Sequence, residues 1–553
     1  MRPMRASAAR DALRTAQLTS RVARRSGAPI DEAADIVAAG ISRRRLLQGA
    51  GVAAAALAVP IAGGELAAAR PGARNARKQP TVVIVGAGIA GLGCADRLWH
   101  RHGIRSQIYE YADRHGGRIR TLRGHFDDGQ LVEEHAEFVN PEHTATLALA
   151  KRFGLTLDNT DHYPEPHQDQ VSLQFDGKLW PQKMMNHEWH EWGWKLFHDA
   201  AINKAPWPTT YTRSTKWGRQ WDRMSVSDWI DAYVPGGIGG DFGQLCISAV
   251  LDEFGGPPEE QSALNLVYLL GEDDSTKSGN QPKSSPELDG ADEKWHIHGG
   301  CDQLTTGIVD GLPAGSLHLR ERLVAIAATA HGRYRLTFDH DGRHHSVAAD
   351  HVVLALPFTL LRDVDLTGIA LPAPQRRAIH TEPLGSNAKM FLQFSHRVWD
   401  QAGKTGNVYC AGVVQGAWDA TGYQPGTAGV LAALPGGTVG TDWGQRYDLR
   451  HYRGAAPAQM VHDYLSQFDA IYPGLTSAYN GKSFYVWSSG DPHIKGAYSY
   501  LKVGQYTDFN GIQGRRHGNL HFAGEHTSLN FQGYIEGGLR SGQRCAAEIT
   551  GKA

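Results

Sequence analysis

The stretch TVVIVGAGIAG, Thr81 to Gly91, decides the fold. Val82 to Val85 is a short apolar run of β-branched residues that leads directly into Gly86-Ala87-Gly88-Ile89-Ala90-Gly91. Leu92 to Trp99 then carries helical spacing. Strand, turn and helix in this order place a dinucleotide pyrophosphate on a helix N-terminus. Gly86 permits the tight turn, Gly88 lets phosphate approach the backbone, and Gly91 lets helix and strand pack closely. A second strand, Gln107 to Tyr109, is predicted to end at Glu110, nineteen residues past Gly91. A carboxylate there accepts both ribose hydroxyls, and such charged hydrogen bonds are worth roughly 1.5–3 kcal/mol each.

Further segments bear on the same site. Ala112-Asp113-Arg114-His115-Gly116-Gly117-Arg118 sets two glycines between arginines, which suits backbone passing close to phosphate. Taken alone, that segment is equally a Gly-Gly turn with solvated arginines. Far downstream, the β-like Leu520 to Ala523 opens into Gly524-Glu525-His526-Thr527-Ser528, and the chain continues to Gly533-Tyr534-Ile535-Glu536-Gly537-Gly538. Between these ends lie Ile297-His298-Gly299-Gly300 with Leu304, Val352 to Pro357, and Pro383-Leu384-Gly385-Ser386-Asn387-Ala388-Lys389. Trp487, Asp491-Pro492 and Gly496-Ala497-Tyr498-Ser499 complete the series.

With these motifs in this order, from Thr81 to Ile549, the chain resembles the flavin-dependent amine oxidase family of monoamine, polyamine and L-amino acid oxidases. The resemblance implies an α/β protein in which a discontinuous Rossmann-like FAD-binding domain carries an α+β substrate domain. It implies FAD as cofactor, with Glu110 at the adenosine ribose and Gly117 and Arg118 at the pyrophosphate. Leu323 would contact adenine through its backbone, and Glu525 would bind the ribityl chain or diphosphate. Tyr534 and Ile535 would lie near the isoalloxazine, with Lys389 holding a water at flavin N5. Tyr498 and Tyr534 would face each other in front of the flavin as catalytic-site rings. The plainer alternatives are an exposed strand lysine at 389 and ordinary core aromatics at 498 and 534.

Departures from the family pattern refine this. Ala497 stands where monoamine oxidases carry the flavin-linking cysteine, so FAD is expected to be non-covalent. Ala112 replaces an arginine common two residues after the ribose acid. In Val132-Glu133-Glu134-His135-Ala136-Glu137-Phe138, His135 replaces a usual glycine and must point away or crowd the flavin. Phe138 falls near where many L-amino acid oxidases have an arginine, which favours amines over amino acids. The expected reaction is oxidation of the C–N bond of mono-, di- or polyamines by hydride transfer to flavin N5. O2 would reoxidise the flavin to give H2O2, and the imine would hydrolyse to aldehyde and ammonia. An L-amino acid oxidase is the alternative, with Arg213, Arg219 or Arg223 supplying the charge. A flavin desaturase and a non-catalytic flavin scaffold stand further back.

At 553 residues the chain is too long for one core of usual size. Its 56 basic and 57 acidic residues argue against nucleic acid as a partner. The cofactor motifs divide it into FAD-binding segments 78–151, 295–361 and 484–553 and substrate-domain segments 152–294 and 362–483. The first insertion is dense in tryptophan, and its polar stretch Gly271 to Leu288 reads as a mobile loop. Residues 1–69 are read as an export signal. Ser42-Arg43-Arg44-Arg45-Leu46-Leu47-Gln48 precedes an apolar stretch, Ala50 to Ala62, and then Ala67-Ala68-Ala69. This predicts the twin-arginine translocase as a partner and a periplasmic or extracellular destination. The five cysteines (Cys94, Cys246, Cys301, Cys410, Cys545) are scattered and read as buried thiols, not as a metal site. His187-Glu188-Trp189-His190-Glu191 has its histidines three apart and reads as a solvated amphipathic helix. His340 to His345 reads as a hairpin turning at Asp341-Gly342. Oligomeric state is left open, a homodimer among the options.

Overall fold

The computed structural model describes residues 16, 19–24, 30–38, 79–160, 171–175, 177–271 and 293–551. The Val82–Val85 strand, buried at all four positions, is central in a five-stranded parallel sheet. The order across this sheet is Leu317–His318, Ser106–Tyr109, Val82–Val85, His351–Leu354 and Leu520–Phe522. A central strand buried on both faces explains its unbroken β-branched composition. The Ile89–His102 helix follows and stops at Gly103, whose φ of 64° closes a left-handed cap. The Ile535–Thr550 helix lies against it at glycines. A Cβ on Gly542 would meet the Ala90 carbonyl oxygen at 1.9 Å, and one on Gly93 would meet Leu539 at 2.6 Å.

Beside this sheet a smaller one joins Arg322–Ala328, Tyr334–His340, Arg343–Ala349 and Asp365–Gly368. The hairpin read at His340 to His345 is present, with His340 paired to Arg343 and positive φ at Asp341 and Gly342. The remaining large sheet has eight strands, with Ala388–Phe394 and Tyr479–Trp487 paired antiparallel within it. Helices of the first insertion, among them Asp241–Phe254 and Ala263–Leu270, pack with buried Trp189, Trp221 and Trp229 in one core.

Strand pairing adjusts three expected boundaries. The break placed at 483/484 falls inside Tyr479–Trp487, which belongs to the substrate-domain sheet. Asp365–Gly368 pairs with Arg322–Ala328, so the FAD-side segment runs past 361. Leu157–Asn159 pairs with Trp295–Ile297, so the first segment runs past 151.

The 187–191 helix is less solvated than its sequence suggests. Trp189 is buried, His187 lies 3.0 Å from Asp31, His190 bonds Ser20 at 2.9 Å, and Arg24 sits 3.9 Å above the Trp194 ring. The segment before the twin arginines thus packs on this helix. The twin-arginine stretch itself and residues 272–288 of the polar loop lie outside the described residues. No helix among the described residues is long and apolar enough to cross a membrane.

Candidate active site

A cavity of about 1940 Å³, its mouth included, runs from the C-terminal end of Val82–Val85 to Tyr498 and Tyr534. At its first end it is lined by Gly86, Gly88, Ile89 and Ala90. Gly86 adopts a φ of +103°, and a Cβ there would meet the Ala355 carbonyl oxygen at 2.6 Å. Gly91 lies behind this wall, where a Cβ would stand 2.0 Å from the Gly86 oxygen. Gly88 is extended, no side chain caps the helix it begins, and the first-turn amides are left for an anion.

Glu110 borders the cavity and is braced by two amides, accepting from Ala87 N–H at 2.7 Å and Ala112 N–H at 2.8 Å. Burial pushes its carboxyl above the usual range, against the pull of those two bonds. Gly117 and Arg118 line the next stretch. Arg118 donates to Glu525 at 2.9 Å and to the Ala497 carbonyl. Glu525 also accepts from the Ser499 hydroxyl at 2.7 Å and Gly533 N–H at 2.8 Å. Burial alone would raise the Glu525 carboxyl, but Arg118, His526 and Ser499 outweigh it and hold it below the usual range. Arg114, also in the wall, donates to the Gly117 carbonyl at 2.6 Å. Ile535 borders the cavity as expected.

Leu323 does not. It lies outside the cavity wall, with its side chain in the core and its backbone paired to Phe338 ahead of a register shift toward Ala325. The inward face of that strand packs on the neighbouring sheet instead.

Lys389 is in the wall and buried, which excludes an exposed strand lysine. Its ammonium donates to the Glu133 carbonyl at 3.0 Å, the His135 carbonyl at 2.9 Å and the Glu137 carboxylate at 2.8 Å. All three ammonium protons are thereby used. A water held by Lys389 would compete with one of these three acceptors. Glu137, not foreseen, also accepts from the Trp418 indole at 3.2 Å, and the ammonium lies 5.1 Å from the Trp418 ring. His135 borders the cavity. Burial, with Arg114, Lys389 and Arg118 nearby, pushes its imidazole well below the ordinary range, so it is neutral.

At the far end Tyr498 and Tyr534 are tied to consecutive residues of the Asp241–Phe254 helix. Tyr498 donates to the Asp252 carbonyl at 2.7 Å, and Tyr534 to the Glu253 carboxylate at 3.3 Å. Asp252, Glu253 and Glu293 all border the cavity here. Burial, then Asp252 and Glu253, pushes the Tyr498 phenol well up and keeps it neutral. The sequence signal for this acidic end was Asp252-Glu253, a pair of acids at the close of a helix that is apolar from Ala249 to Leu251. Arg213, Arg219 and Arg223 do not border the cavity, whose arginines are Arg114 and Arg118 among the described residues.

These residues fit FAD. Glycine backbone and a helix N-terminus suit the pyrophosphate, Glu110 suits the ribose, and the cavity continues far enough to seat a ring system between Lys389 and the tyrosines. None of the five cysteines borders it. Heat or acid precipitation of the holoenzyme is therefore expected to release its FAD quantitatively into the supernatant. Flavin fluorescence remaining on the denatured polypeptide would contradict non-covalent binding.

Fold and cavity together define an FAD-dependent oxidoreductase with a separate substrate domain. Residues 89–550 match the family described as flavin containing amine oxidoreductase, and the chain belongs to that family of enzymes acting on amines. It is 24% identical over 481 residues to human flavin-containing amine oxidase B, covering 85% of each chain. It is also 24% identical over 491 residues to an L-amino acid dehydrogenase from Synechocystis, covering 85% of this chain and 94% of that one. Among solved structures it resembles cyclohexylamine oxidase from Brevibacterium oxydans, with a TM-score of 0.68 at 21% identity over 86% of this chain and 99% of that one. A triple mutant of putrescine oxidase gives a TM-score of 0.69 at 20% identity, with the same coverage.

Proposed function

We propose that this protein oxidises the C–N bond of primary or secondary amines, including diamines and polyamines. The observation that carries the reading is the tyrosine end of the cavity, where Asp252, Glu253 and Glu293 converge with Tyr498 and Tyr534. The basic side chains Arg114, Arg118 and Lys389 are committed to Gly117, Glu525 and Glu137. Such a wall favours an ammonium over a carboxylate. Bound FAD would supply hydride acceptance and reoxidation by O2 to H2O2. The chain's own part is to hold the α-carbon in place, orient the amine lone pair between the two phenol rings, and exclude water. The imine leaves and hydrolyses to an aldehyde and ammonia for a primary amine, or to an aldehyde and a primary amine for a secondary one.

The likeness to an L-amino acid dehydrogenase favours amino acids as a second reading, and the absence of Arg213, Arg219 and Arg223 from the cavity weighs against it. Anaerobic bleaching of the flavin by a panel of monoamines, diamines, polyamines and L-amino acids separates the two. Bleaching by amines alone is expected, and bleaching by L-amino acids alone would reverse the order. Within the panel, Glu253→Gln is expected to raise KM for diamines about tenfold, or about 1.4 kcal/mol, with kcat nearly unchanged. Equal effects on monoamines and diamines would remove Glu253 from recognition of a second ammonium.

Export by the twin-arginine route, with cofactor bound before translocation, is part of the same proposal. It rests on Arg43-Arg44 and the apolar stretch after them. Replacing both arginines by lysine is expected to retain the protein, with its FAD, in the cytoplasm.

A further inference from the structure

The Trp295–Ile297 strand lies between Phe138–Val139 and Leu157–Asn159, and His296 is paired across to Phe138 on one side and Asp158 on the other. The His296 side chain is 1% exposed. Its Nε2 is 3.1 Å from Glu133 Oε1, and its Nδ1 faces Asp158 Oδ2 at 3.8 Å. The Glu133 carboxylate also accepts from Cys301 N–H at 2.8 Å and from the Thr121 hydroxyl at 2.9 Å. The Glu133 backbone carbonyl is one of the three acceptors around the Lys389 ammonium. Glu137, which supplies the carboxylate acceptor, is tied to the same region, its backbone carbonyl taking the Cys301 thiol at 3.2 Å. The strip from Glu133 to Glu137 that cages Lys389 is thus pinned from behind by His296 and Cys301. Glu133, His296 and Cys301 bring possible metal ligands close together. Their facing atoms, however, are already hydrogen bonded to one another and to Glu137.

We propose that His296 is a positioning residue for Lys389: through its hydrogen bond to Glu133, with Asp158 facing its other nitrogen, it fixes the carbonyls and the Glu137 carboxylate that hold the ammonium at the cavity wall. The proposal rests on the reading that Lys389 works beside the flavin. An imidazole set between two carboxylates does this best when it is charged and can donate from both nitrogens. Burial disfavours that charge, but the hydrogen bond to Glu133 and the nearby Asp158 carboxylate outweigh it and lift His296 to about 9. The titratable and charged groups around it are Asp158, Glu133, Glu137, Tyr423 and Cys301, with His298 beyond Asp158 and Lys389 beyond Glu133. Because the folded value lies above the ordinary 6.5, the stability His296 contributes is complete below about 6.5 and is lost as pH rises through about 9. The order around Lys389 should be lost over the same interval.

The test uses purified holoenzyme and two readouts against pH, the oxidised flavin absorbance without substrate and the rate at which O2 reoxidises substrate-reduced flavin. The wild-type protein is expected to show one transition in both near pH 9. Asp158→Asn alters the partly exposed end of the network and is expected to move that midpoint down by about one unit. His296→Gln keeps a donor toward Glu133 but cannot titrate. It is expected to abolish the transition and slow reoxidation roughly tenfold, with FAD content and anaerobic reduction by amine changed far less. An unmoved midpoint in Asp158→Asn, or a transition that survives in His296→Gln, would overturn the proposal. Lys389→Met separates the two layers. If it reoxidises at the wild-type rate, the role of Lys389 falls and this proposal with it. If it is slow while Asp158→Asn leaves the midpoint in place, the link through His296 alone fails.

Discussion

Lys389→Met is expected to slow reoxidation of the reduced flavin by O2 about 100-fold, the usual scale for losing one preorganised charge at a reacting centre. FAD should stay bound, because the dinucleotide end is built from other residues. The Lys389 and Glu137 side chains are only 8% and 4% exposed and form a buried ion pair. Removing the ammonium alone strands a carboxylate, which costs about 3–5 kcal/mol of stability. The double change Lys389→Met with Glu137→Gln should therefore recover much of the melting temperature and none of the oxygen reactivity. Stopped-flow reoxidation beside thermal melts reads both quantities. Oxygen reactivity restored in the double variant would mean that the single variant had merely lost its fold around the flavin.

Gly91→Ala should be more damaging than its one methyl suggests. The added Cβ would stand 2.0 Å from the Gly86 carbonyl oxygen and 3.1 Å from Ile84, both in the central strand and its turn. Backbone on each side must separate, and overpacking of this kind typically costs about 1–3 kcal/mol. FAD affinity is expected to fall by at least about 100-fold, because the displaced turn carries the phosphate amides. Gly88→Ala is the informative contrast. No atom lies within 4 Å of a Cβ there, and the backbone conformation is ordinary. That variant should melt like the wild-type apoprotein while binding FAD weakly, since the methyl occupies space intended for phosphate. Equal apoprotein stability of the two variants would contradict the division of labour between these glycines.

The dinucleotide end was legible in the sequence because its chemistry is local. Turn, helix start and expected ribose acid fall within thirty residues of one another, and Gly86, Gly88 and Glu110 border one cavity, with Gly91 packed behind Gly86. Arg118 and Glu525 were each visible, but not their ion pair, which joins positions 407 residues apart. Lys389 was legible as a residue and not as an environment. Its acceptors come from Glu133, His135 and Glu137 on a different element, and no periodicity announces that a lysine has spent all its protons. The acidic end was missed for the same reason. Asp252 and Glu253 sit on a helix, Glu293 on a distant strand approach, and only folding gathers them. Leu323, assigned through its backbone, leaves no mark in its side chain and is not among the residues lining the cavity.

The central sheet sets the Val82–Val85 strand beside His351–Leu354, with Leu520–Phe522 next to that. The phosphate-binding helix Ile89–His102 is buttressed by Ile535–Thr550, close to the last residues of the chain. During synthesis, then, the first cofactor motif emerges more than 400 residues before the partner that seats it. Val82–Val85 can pair early with Ser106–Tyr109, but its other edge and the face of the glycine-rich helix wait for later segments, a long exposure for surfaces that aggregate readily. A ribosome that stalls before Ile535 would release a chain lacking the back wall of its nucleotide site. Flavin capture is thereby expected to follow synthesis of the Ile535–Thr550 helix.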